Sequence, residues 1–186
     1  MGKIAAIALC IALQIPASAW AQNHLSSPYR HQAEAGLRGL DETEIAELKA
    51  GNGMGMARAA ELNGYPGPRH VLDAAAAGKL PTTPEQIERI QRIFDAMQRD
   101  AQRLGAQILE QEQRLEAAFR TGTIIESDVR DRVARISALR GQVRSVHLAA
   151  HLATRAILSD SQIARYNELR GYTAGAPDHS GHQHKH

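Results

Sequence analysis

The fold of this chain is decided by residues 83–119, which read TPEQIERIQRIFDAMQRDAQRLGAQILEQEQRLEAAF. Apolar residues recur along this stretch in steps of three and four, as they do on one face of an amphipathic helix. The members of this seam are Ile87, Ile90, Phe94, Met97, Ala101, Leu104, Ile108, Leu115 and Phe119. The pattern predicts a single helix of about 37 residues, which is roughly 55 Å long.

The start of this helix carries a capping signal. Thr83 is a favoured N-cap residue, Pro84 suits the first helical position, and Gln86 stands where its side chain completes a capping box. The same arrangement returns at Ser159, with Gln162 three residues later. It predicts the start of a short last helix.

A second apolar seam follows after the helix breakers Gly122 and Thr123, and we expect Glu126 or Ser127 to cap its helix. The seam contains Val129, Val133, Ile136, Leu139, Val143, Val146, Ala150, Ala153 and Ile157. Two long amphipathic helices with a short connection predict an antiparallel hairpin. The fold class is therefore all-α, a long antiparallel helical hairpin with short flanking helices.

The two seams are narrow, so one hairpin buries little apolar surface by itself. Short helices predicted between Asp41 and Gly78, on either side of the breaker cluster 63–68, are expected to cover it. We also predict a homodimer that forms through the long helices. The alternative is a monomeric bundle of four or five helices.

Composition narrows the class of protein. The chain has 186 residues, a net charge of +2 and 4% aromatic residues, and so small a charge argues against general nucleic-acid binding. The sequence lacks a nucleophile elbow and a phosphate loop, and residues 147–151 read HLAAH, without the glutamate of a zinc protease. We therefore expect no enzyme activity and no organic cofactor.

The N-terminus is typical of a cleavable export signal. Lys3 supplies a positive charge, residues 4–15 form an apolar run, and an Ala-Trp-Ala pattern ends the segment. We expect the signal peptide, residues 1–21, to be cleaved near Ala21, or alternatively after Ala19. The only cysteine leaves with it, so the exported protein has no disulfide. The style of the signal indicates a periplasmic protein that is not embedded in the membrane.

Three segments follow the signal. Residues 22–39 are polar and weakly patterned, and we expect them to be flexible. Residues 40–172 form the helical domain. Residues 173–186 contain glycine, proline and histidine, and we expect a disordered, histidine-rich tail.

Residues 158–162 resemble the Leu-Thr/Ser-x-x-Gln signature of the periplasmic Spy and CpxP family, which includes ZraP-like proteins and heavy-metal sensors. The motif residues are Leu158, Ser159 and Gln162, with a partial copy at Thr83 and Gln86 whose leucine is displaced to Leu80. The resemblance implies a curved helical dimer that binds unfolded periplasmic proteins or modulates a membrane sensor protein. The glycine- and proline-rich stretch 51–68 departs from the chaperone pattern of this family.

Two histidines on the second long helix are candidates for binding metal. His147 and His151 are four residues apart, which places both imidazoles on one helix face, close enough to chelate one ion. In the hairpin they would face Met97 and Asp100, which offer a thioether and a carboxylate. The resemblance to heavy-metal sensors implies such a pair. Ordinary hydrogen-bonding histidines are the alternative.

The last eight residues hold a second candidate set, His179, His182, His184 and His186. Imidazoles on a flexible chain can wrap Zn(II), Cu(II) or Ni(II), with modest affinity because the chain must become ordered. The alternative is the remnant of an expression tag.

Met54, Met56 and His70 form a weaker third set, suited to Cu(I). The alternative is that the methionines fill gaps where short helices pack on the hairpin.

Together these patterns predict a periplasmic, metal-responsive stress protein. It would bind unfolded or partner proteins without ATP, and a divalent transition metal (Zn, Cu or Ni) through histidines. The alternative is a periplasmic heavy-metal sensor or metal-binding resistance protein without chaperone activity.

Overall fold

A computed structural model describes residues 27–34 and 36–172 of the chain. This part of the chain contains no strand, which confirms the predicted all-α fold. The helices are α1 (Glu42–Ala50), α2 (Arg58–Glu61), α3 (Pro68–Ala76), α4 (Pro84–Arg120), α5 (Glu126–Arg155) and α6 (Asp160–Leu169). A short 3-10 helix, Arg30–Gln32, belongs to a separate N-terminal unit. The expected signal peptide and histidine tail lie outside the described residues.

The two long helices form the predicted hairpin. The α4 helix runs for 37 residues, and Gly122, in the left-handed conformation, lies in the turn that follows it. The α5 helix begins with Ile125 as its N-cap and has no side-chain cap, so the cap expected at Glu126 or Ser127 is wrong. Instead, the acidic side chains of Glu126 and Asp128 lie in the first turn, where the helix dipole favours negative charge. Among the described helices, none is both long and apolar enough to cross a membrane.

Both predicted capping boxes are present, and their glutamines bind each other. Thr83 caps α4 with Gln86, and Ser159 caps α6 with Gln162. The Gln86 side-chain amide donates to Oε1 of Gln162 at 3.1 Å, and the Gln162 amide donates to Oε1 of Gln86 at 2.9 Å. Gln162 also donates to the carbonyl oxygen of Pro81 at 2.7 Å. The two copies of the motif therefore join the starts of α4 and α6 into one structural unit.

Buried apolar side chains form two clusters at different levels of the hairpin. The first lies under α1 and contains Leu37, Leu40, Leu48, Leu104, Ile108, Leu109, Leu139 and Val143. The second lies near α3 and α6 and contains Val71, Leu80, Ile90, Leu158, Ile163 and Tyr166. Leu37 falls inside the segment that we expected to be flexible, so apolar packing begins before the predicted start of the helical domain.

Some side chains of the two predicted seams are not covered by any described part of the chain. Ile87 near the start of α4 and Phe119 near its end are exposed, and so is Val133 on α5. The periodicity placed these residues on the apolar face of each helix. The short flanking helices are too short to cover that face over its full length.

The first cluster depends on a close contact between backbones. A Cβ atom built on Gly105 of α4 would lie 2.2 Å from the carbonyl oxygen of Leu48 at the end of α1. Gly51 follows α1 in the left-handed conformation. A Cβ atom built on Gly51 would lie 2.9 Å from the carbonyl oxygen of Gln98 in α4. Glycine at these two positions lets the end of α1 lie directly on α4.

Replacing Gly105 by alanine should destabilise the protein although alanine is the better helix former. We expect the free energy of unfolding to fall by about 1–3 kcal/mol, because the methyl group meets backbone that has little room to move. Gly141→Ala in α5 is the matched control, since nothing lies within 4 Å of its Cβ position. It should stabilise the helix by about 0.5–1 kcal/mol. Urea unfolding followed by circular dichroism measures both, and equal effects of the two changes would contradict this account.

Candidate metal site

A polar layer separates the two apolar clusters of the hairpin. It contains His147 and His151 of α5, which are 4% and 8% exposed, and Glu61 of α2, which is 8% exposed. Along α5 the two histidines follow Val143 of the first cluster and precede Leu158 of the second. Ionisable side chains are rarely buried this deeply unless they have partners or a function. This layer is therefore a candidate functional site.

Two cavities of about 350 and 360 Å³ open beside this layer. Gly53, His70, His147 and His151 line both of them. We call these two spaces the histidine cavities. The structure thus brings together three of the histidines that the sequence singled out, although the third, His70, lies at an exposed position in α3. Burial lowers the pKa of His70, and the charge of Arg170 lowers it further.

The ring of His151 has a defined orientation. Its Nδ1 atom lies 2.7 Å from the carbonyl oxygen of Tyr65. A carbonyl oxygen can only accept a hydrogen bond, so Nδ1 carries the proton and donates it. In the neutral ring this leaves the lone pair on Nε2. A backbone carbonyl that fixes a histidine in this tautomer is a common feature of histidines that bind metal.

The ring of His147 has a buried nitrogen with no partner. Its Nε2 atom is inaccessible to solvent and makes no hydrogen bond to any described residue. Burial lowers the pKa of His147 below its usual value of 6.5, and the neighbouring His151 lowers it further. The imidazole is therefore neutral near pH 7. A buried nitrogen without a partner leaves a binding capacity that a ligand can satisfy.

Two glycines make room for these rings. A Cβ atom at Gly67 would lie 3.1 Å from Nε2 of His151, and one at Gly53 would lie 3.5 Å from Nδ1 of His147. Any side chain at position 67 would occupy space at the nitrogen that carries the lone pair. The glycine- and proline-rich stretch 51–68 therefore forms part of the wall of the histidine cavities.

Glu61 ties the polar layer to α6. Its Oε1 atom accepts hydrogen bonds from the hydroxyls of Tyr166, at 2.5 Å, and Tyr172, at 3.2 Å, and lies 3.3 Å from Nε of Arg170. Its Oε2 atom lies 3.7 Å from Nδ1 of His151. Burial and the carboxylate together raise the pKa of Tyr166, so its hydroxyl stays protonated and donates. One carboxylate thus contacts both α6 and a histidine of the layer.

The three candidate methionines do not line the same cavity. Met97 of α4 lines the second histidine cavity, and Met54 lines the first. Met54 has a φ of 46°, an unusual value for a residue other than glycine. Met56 instead lines a separate space together with Met54, Glu44 and Arg140, and it packs on the first apolar cluster. The gap-filling interpretation therefore describes Met56 better than metal binding does.

Asp100 does not line either histidine cavity. Its carboxylate pairs with Arg103, one turn further along α4, at 3.2 Å. The sequence offered Asp100 as a ligand because a hairpin that turns near Ile124 would bring the histidines to the region of Met97 and Ala101. In the structure its side chain is exposed and turned toward Arg103.

The histidine cavities offer imidazole nitrogens and methionine sulfurs, and the carboxylate of Glu61 also lines the first of them. Within residues 27–34 and 36–172, no three side chains of histidine, cysteine, aspartate or glutamate are grouped so as to hold an ion. What the cavities offer is the pair His147 and His151, with the thioether of Met97 or Met54 nearby. Two imidazoles and a thioether suit a borderline or soft transition metal. The tail histidines His179, His182, His184 and His186 lie outside the described residues.

Sequence reasoning missed the residues that support this pair. Glu61 lies 105 residues before Tyr166 and 111 before Tyr172, and neither Glu61 nor its partners Tyr166, Arg170 and Tyr172 carry a motif. The glycines were visible in the sequence as a breaker cluster. Their spacing signalled an irregular segment, but only the folded chain places that segment against the histidine rings.

The buried neutral state of His147 predicts a loss of stability in mild acid. The unfolded chain binds a proton on this residue below about pH 6.5, whereas the folded chain resists protonation to a lower pH. Stability should therefore be full above pH 7 and fall as the pH drops below 6.5. His147→Gln should reduce this slope in metal-free protein, as measured by urea unfolding at a series of pH values. An unchanged slope would mean that other groups cause the acid sensitivity.

A family model described as heavy-metal resistance matches residues 50–165 of this chain. The matched range is more than half of the chain and includes His70, His147, His151 and Glu61. No curated protein and no solved structure matches the chain. Information about function therefore comes from two sources, the geometry of the histidine cavities and this family match. On this match, the chain belongs to the heavy-metal resistance family.

Proposed function

We propose that this protein is an exported, periplasmic heavy-metal-binding protein that holds a divalent transition-metal ion with His147 and His151. The observation that carries the proposal is the buried, unpartnered Nε2 of His147 beside a second imidazole whose Nε2 holds a lone pair. Because the two residues are one helical turn apart on α5, both nitrogens can reach one ion.

The environment of the pair favours metal over a proton. Burial lowers the pKa of His147, so a metal ion does not need to displace a proton there at neutral pH. The Tyr65 carbonyl holds the proton of His151 on the opposite side of the ring from Nε2. An ion would therefore meet a neutral His147 imidazole and a His151 ring that the Tyr65 carbonyl already orients.

The donor set indicates the class of metal. Imidazole suits Ni(II), Cu(II) and Zn(II), and a thioether from Met97 or Met54 shifts the preference toward copper. Calcium and magnesium prefer several oxygen ligands. The carboxylate of Asp100 is turned toward Arg103. The Glu61 carboxylate, which lines the first cavity, has its Oε1 atom bound by Tyr166, Tyr172 and Arg170. The bound ion would have no catalytic part in this proposal. Its role is capture, or as the alternative a signal to a membrane sensor protein that metal has been bound.

Replacing either helical histidine should weaken metal binding. In the exported chain, His147→Ala and His151→Ala should each lower the affinity for Cu(II), Ni(II) or Zn(II) at least about tenfold, or about 1.4 kcal/mol, because each removes one of two imidazole ligands. Isothermal titration calorimetry measures this effect. Gln142→Ala, an exposed change on the same helix, is the matched control and should leave the affinity unchanged.

The tail histidines are tested in the same experiment. A chain that ends at residue 173 lacks His179, His182, His184 and His186 and should keep one site of unchanged affinity while losing weaker binding. If this shorter chain binds no metal and His147→Ala binds normally, the metal site lies in the tail and the assignment to α5 is wrong.

We propose as a second function that the hairpin binds other protein chains without ATP. The support is a set of exposed apolar side chains around the turn of the hairpin, namely Phe119, Ile125 and Val133. Such side chains fit either a second copy of this chain in a homodimer or exposed apolar segments of unfolded proteins. The resemblance of residues 158–162 to the Spy and CpxP signature also supports the binding of other protein chains.

Polar substitutions near the turn should impair this second function. Phe119→Ser with Val133→Ser should reduce dimer formation in sedimentation velocity and reduce suppression of aggregation of a denatured client, because both lose apolar contact area. Leu152→Ser is the matched control, an exposed apolar residue at the other end of α5. If the wild-type protein at an equimolar ratio does not suppress aggregation, the chaperone function is excluded.

A further inference from the structure

We propose that Glu61 is a positioning residue for the metal site, and that through it metal binding is coupled to the attachment of the end of α6. The inference rests on the proposed function, because it takes His151 as a ligand. Glu61 is placed to act through the ring of His151, since its nearest approach is to Nδ1, the nitrogen that is not available to the metal.

The two oxygens of Glu61 have different partners. Oε1 is bound by three groups near the end of α6, the hydroxyls of Tyr166 and Tyr172 and the Nε of Arg170. Oε2 has no hydrogen bond to these groups and lies 3.7 Å from Nδ1 of His151. The donors on Oε1 hold the carboxylate in place, and this directs Oε2 toward the histidine.

The Nδ1 proton of His151 has two acceptors within reach. It is donated to the Tyr65 carbonyl at 2.7 Å, and the Glu61 carboxylate oxygen Oε2 lies 3.7 Å from Nδ1. An ion bound at Nε2 withdraws electrons from the ring and makes the N–H group on the other side a stronger donor. A carboxylate beside that group stabilises the metal-bound ring and fixes its orientation.

The α6 helix packs Ile163 and Tyr166 into the second apolar cluster, and its polar contacts with the rest of the protein lie mainly at its two ends. Its start is held by Gln162, which pairs with Gln86, and its end by the donors to Glu61. Arg165 adds one bond between them, to the carbonyl oxygen of Lys79 at 3.3 Å. The Glu61 contacts are therefore the link through which a change at His151 reaches the end of α6.

This coupling must act in both directions. If metal binding strengthens the attraction between the His151 ring and Glu61, then weakening the α6 donors to Glu61 weakens metal binding by the same free energy. Tyr172 and Arg170 would thus affect metal affinity without touching the ion. A purely structural role for Glu61 predicts lower stability and an unchanged metal site in the molecules that fold.

The test uses Co(II), whose d–d absorption reports on ligand geometry, together with calorimetric titration of Ni(II) and Cu(II) into the exported chain. Glu61→Gln keeps the size of the side chain and removes its charge. We expect a 10–100-fold loss of affinity, as for other residues that support metal ligands, and a changed Co(II) spectrum. Tyr172→Phe should also lower the metal affinity and change the Co(II) spectrum, but by a smaller amount.

The matched control is Glu116→Gln. Glu116 is also largely buried and paired with an arginine, Arg38, at 2.7 Å, but it lines neither histidine cavity. This variant should bind metal as the wild type does, with the same Co(II) spectrum.

Hydrogen exchange of α6 gives a second readout. Metal should slow exchange of the amides of residues 166–172 in the wild type and have no such effect in Glu61→Gln. If Glu61→Gln does not fold, Tyr172→Phe and Arg170→Gln provide the same test through the other partners of Oε1. Metal affinity equal to that of the wild type in these two variants would overturn the inference.

The outcomes separate this inference from the proposed function. If the wild type binds no metal, or binds it equally well after His147→Ala, the proposed function fails. If the wild type binds metal through His147 and Glu61→Gln binds it with the same affinity and the same spectrum, only the positioning role of Glu61 fails.

Discussion

The packing of α4 against α5 is the interaction on which the rest of this structure depends. Each helix presents a narrow apolar face, so the pair alone leaves much of that face open to water. The N-terminal helices close the first cluster where α1 lies on Gly105, and α3 and α6 close the second. Because these covering helices are short, the cover is incomplete, and apolar side chains stay exposed near the turn.

The hairpin accepts a polar layer at its middle, and this has an energetic cost. Two imidazoles and a carboxylate are removed from water between two apolar clusters, although aliphatic side chains would fit the helical period equally well. Burial of polar groups without full hydrogen bonding is unfavourable, and the unpartnered nitrogen of His147 shows that the cost is not fully offset within the described chain. Such departures from good packing are concentrated at functional sites. The range that matches the heavy-metal resistance family, residues 50–165, includes this layer.

The glycines and prolines of the irregular stretch 51–68 affect both the local helices and the packing against α5. Its glycines and prolines interrupt the helices, which weakens local structure. They also let the backbone lie against the rings of His147 and His151, and a Cβ atom at position 67 would lie in tight contact, 3.1 Å from Nε2 of His151. The only helical turn in its middle, α2, carries Glu61, whose carboxylate holds the end of α6. Residues 51–68, which the sequence marks only as irregular, therefore form part of the wall of the histidine cavities.

The sequence alone determined the two long helices, the capping boxes of α4 and α6 and the hairpin, because helical period, capping boxes and breakers act over a few residues. It also placed His147 and His151 on one face of α5. Only the tertiary structure decided that the motif glutamines pair, that Asp100 turns away, and that Glu61 meets Tyr166 across 105 residues of chain. These contacts depend on how separate helices are rotated and stacked, and no local pattern records that arrangement.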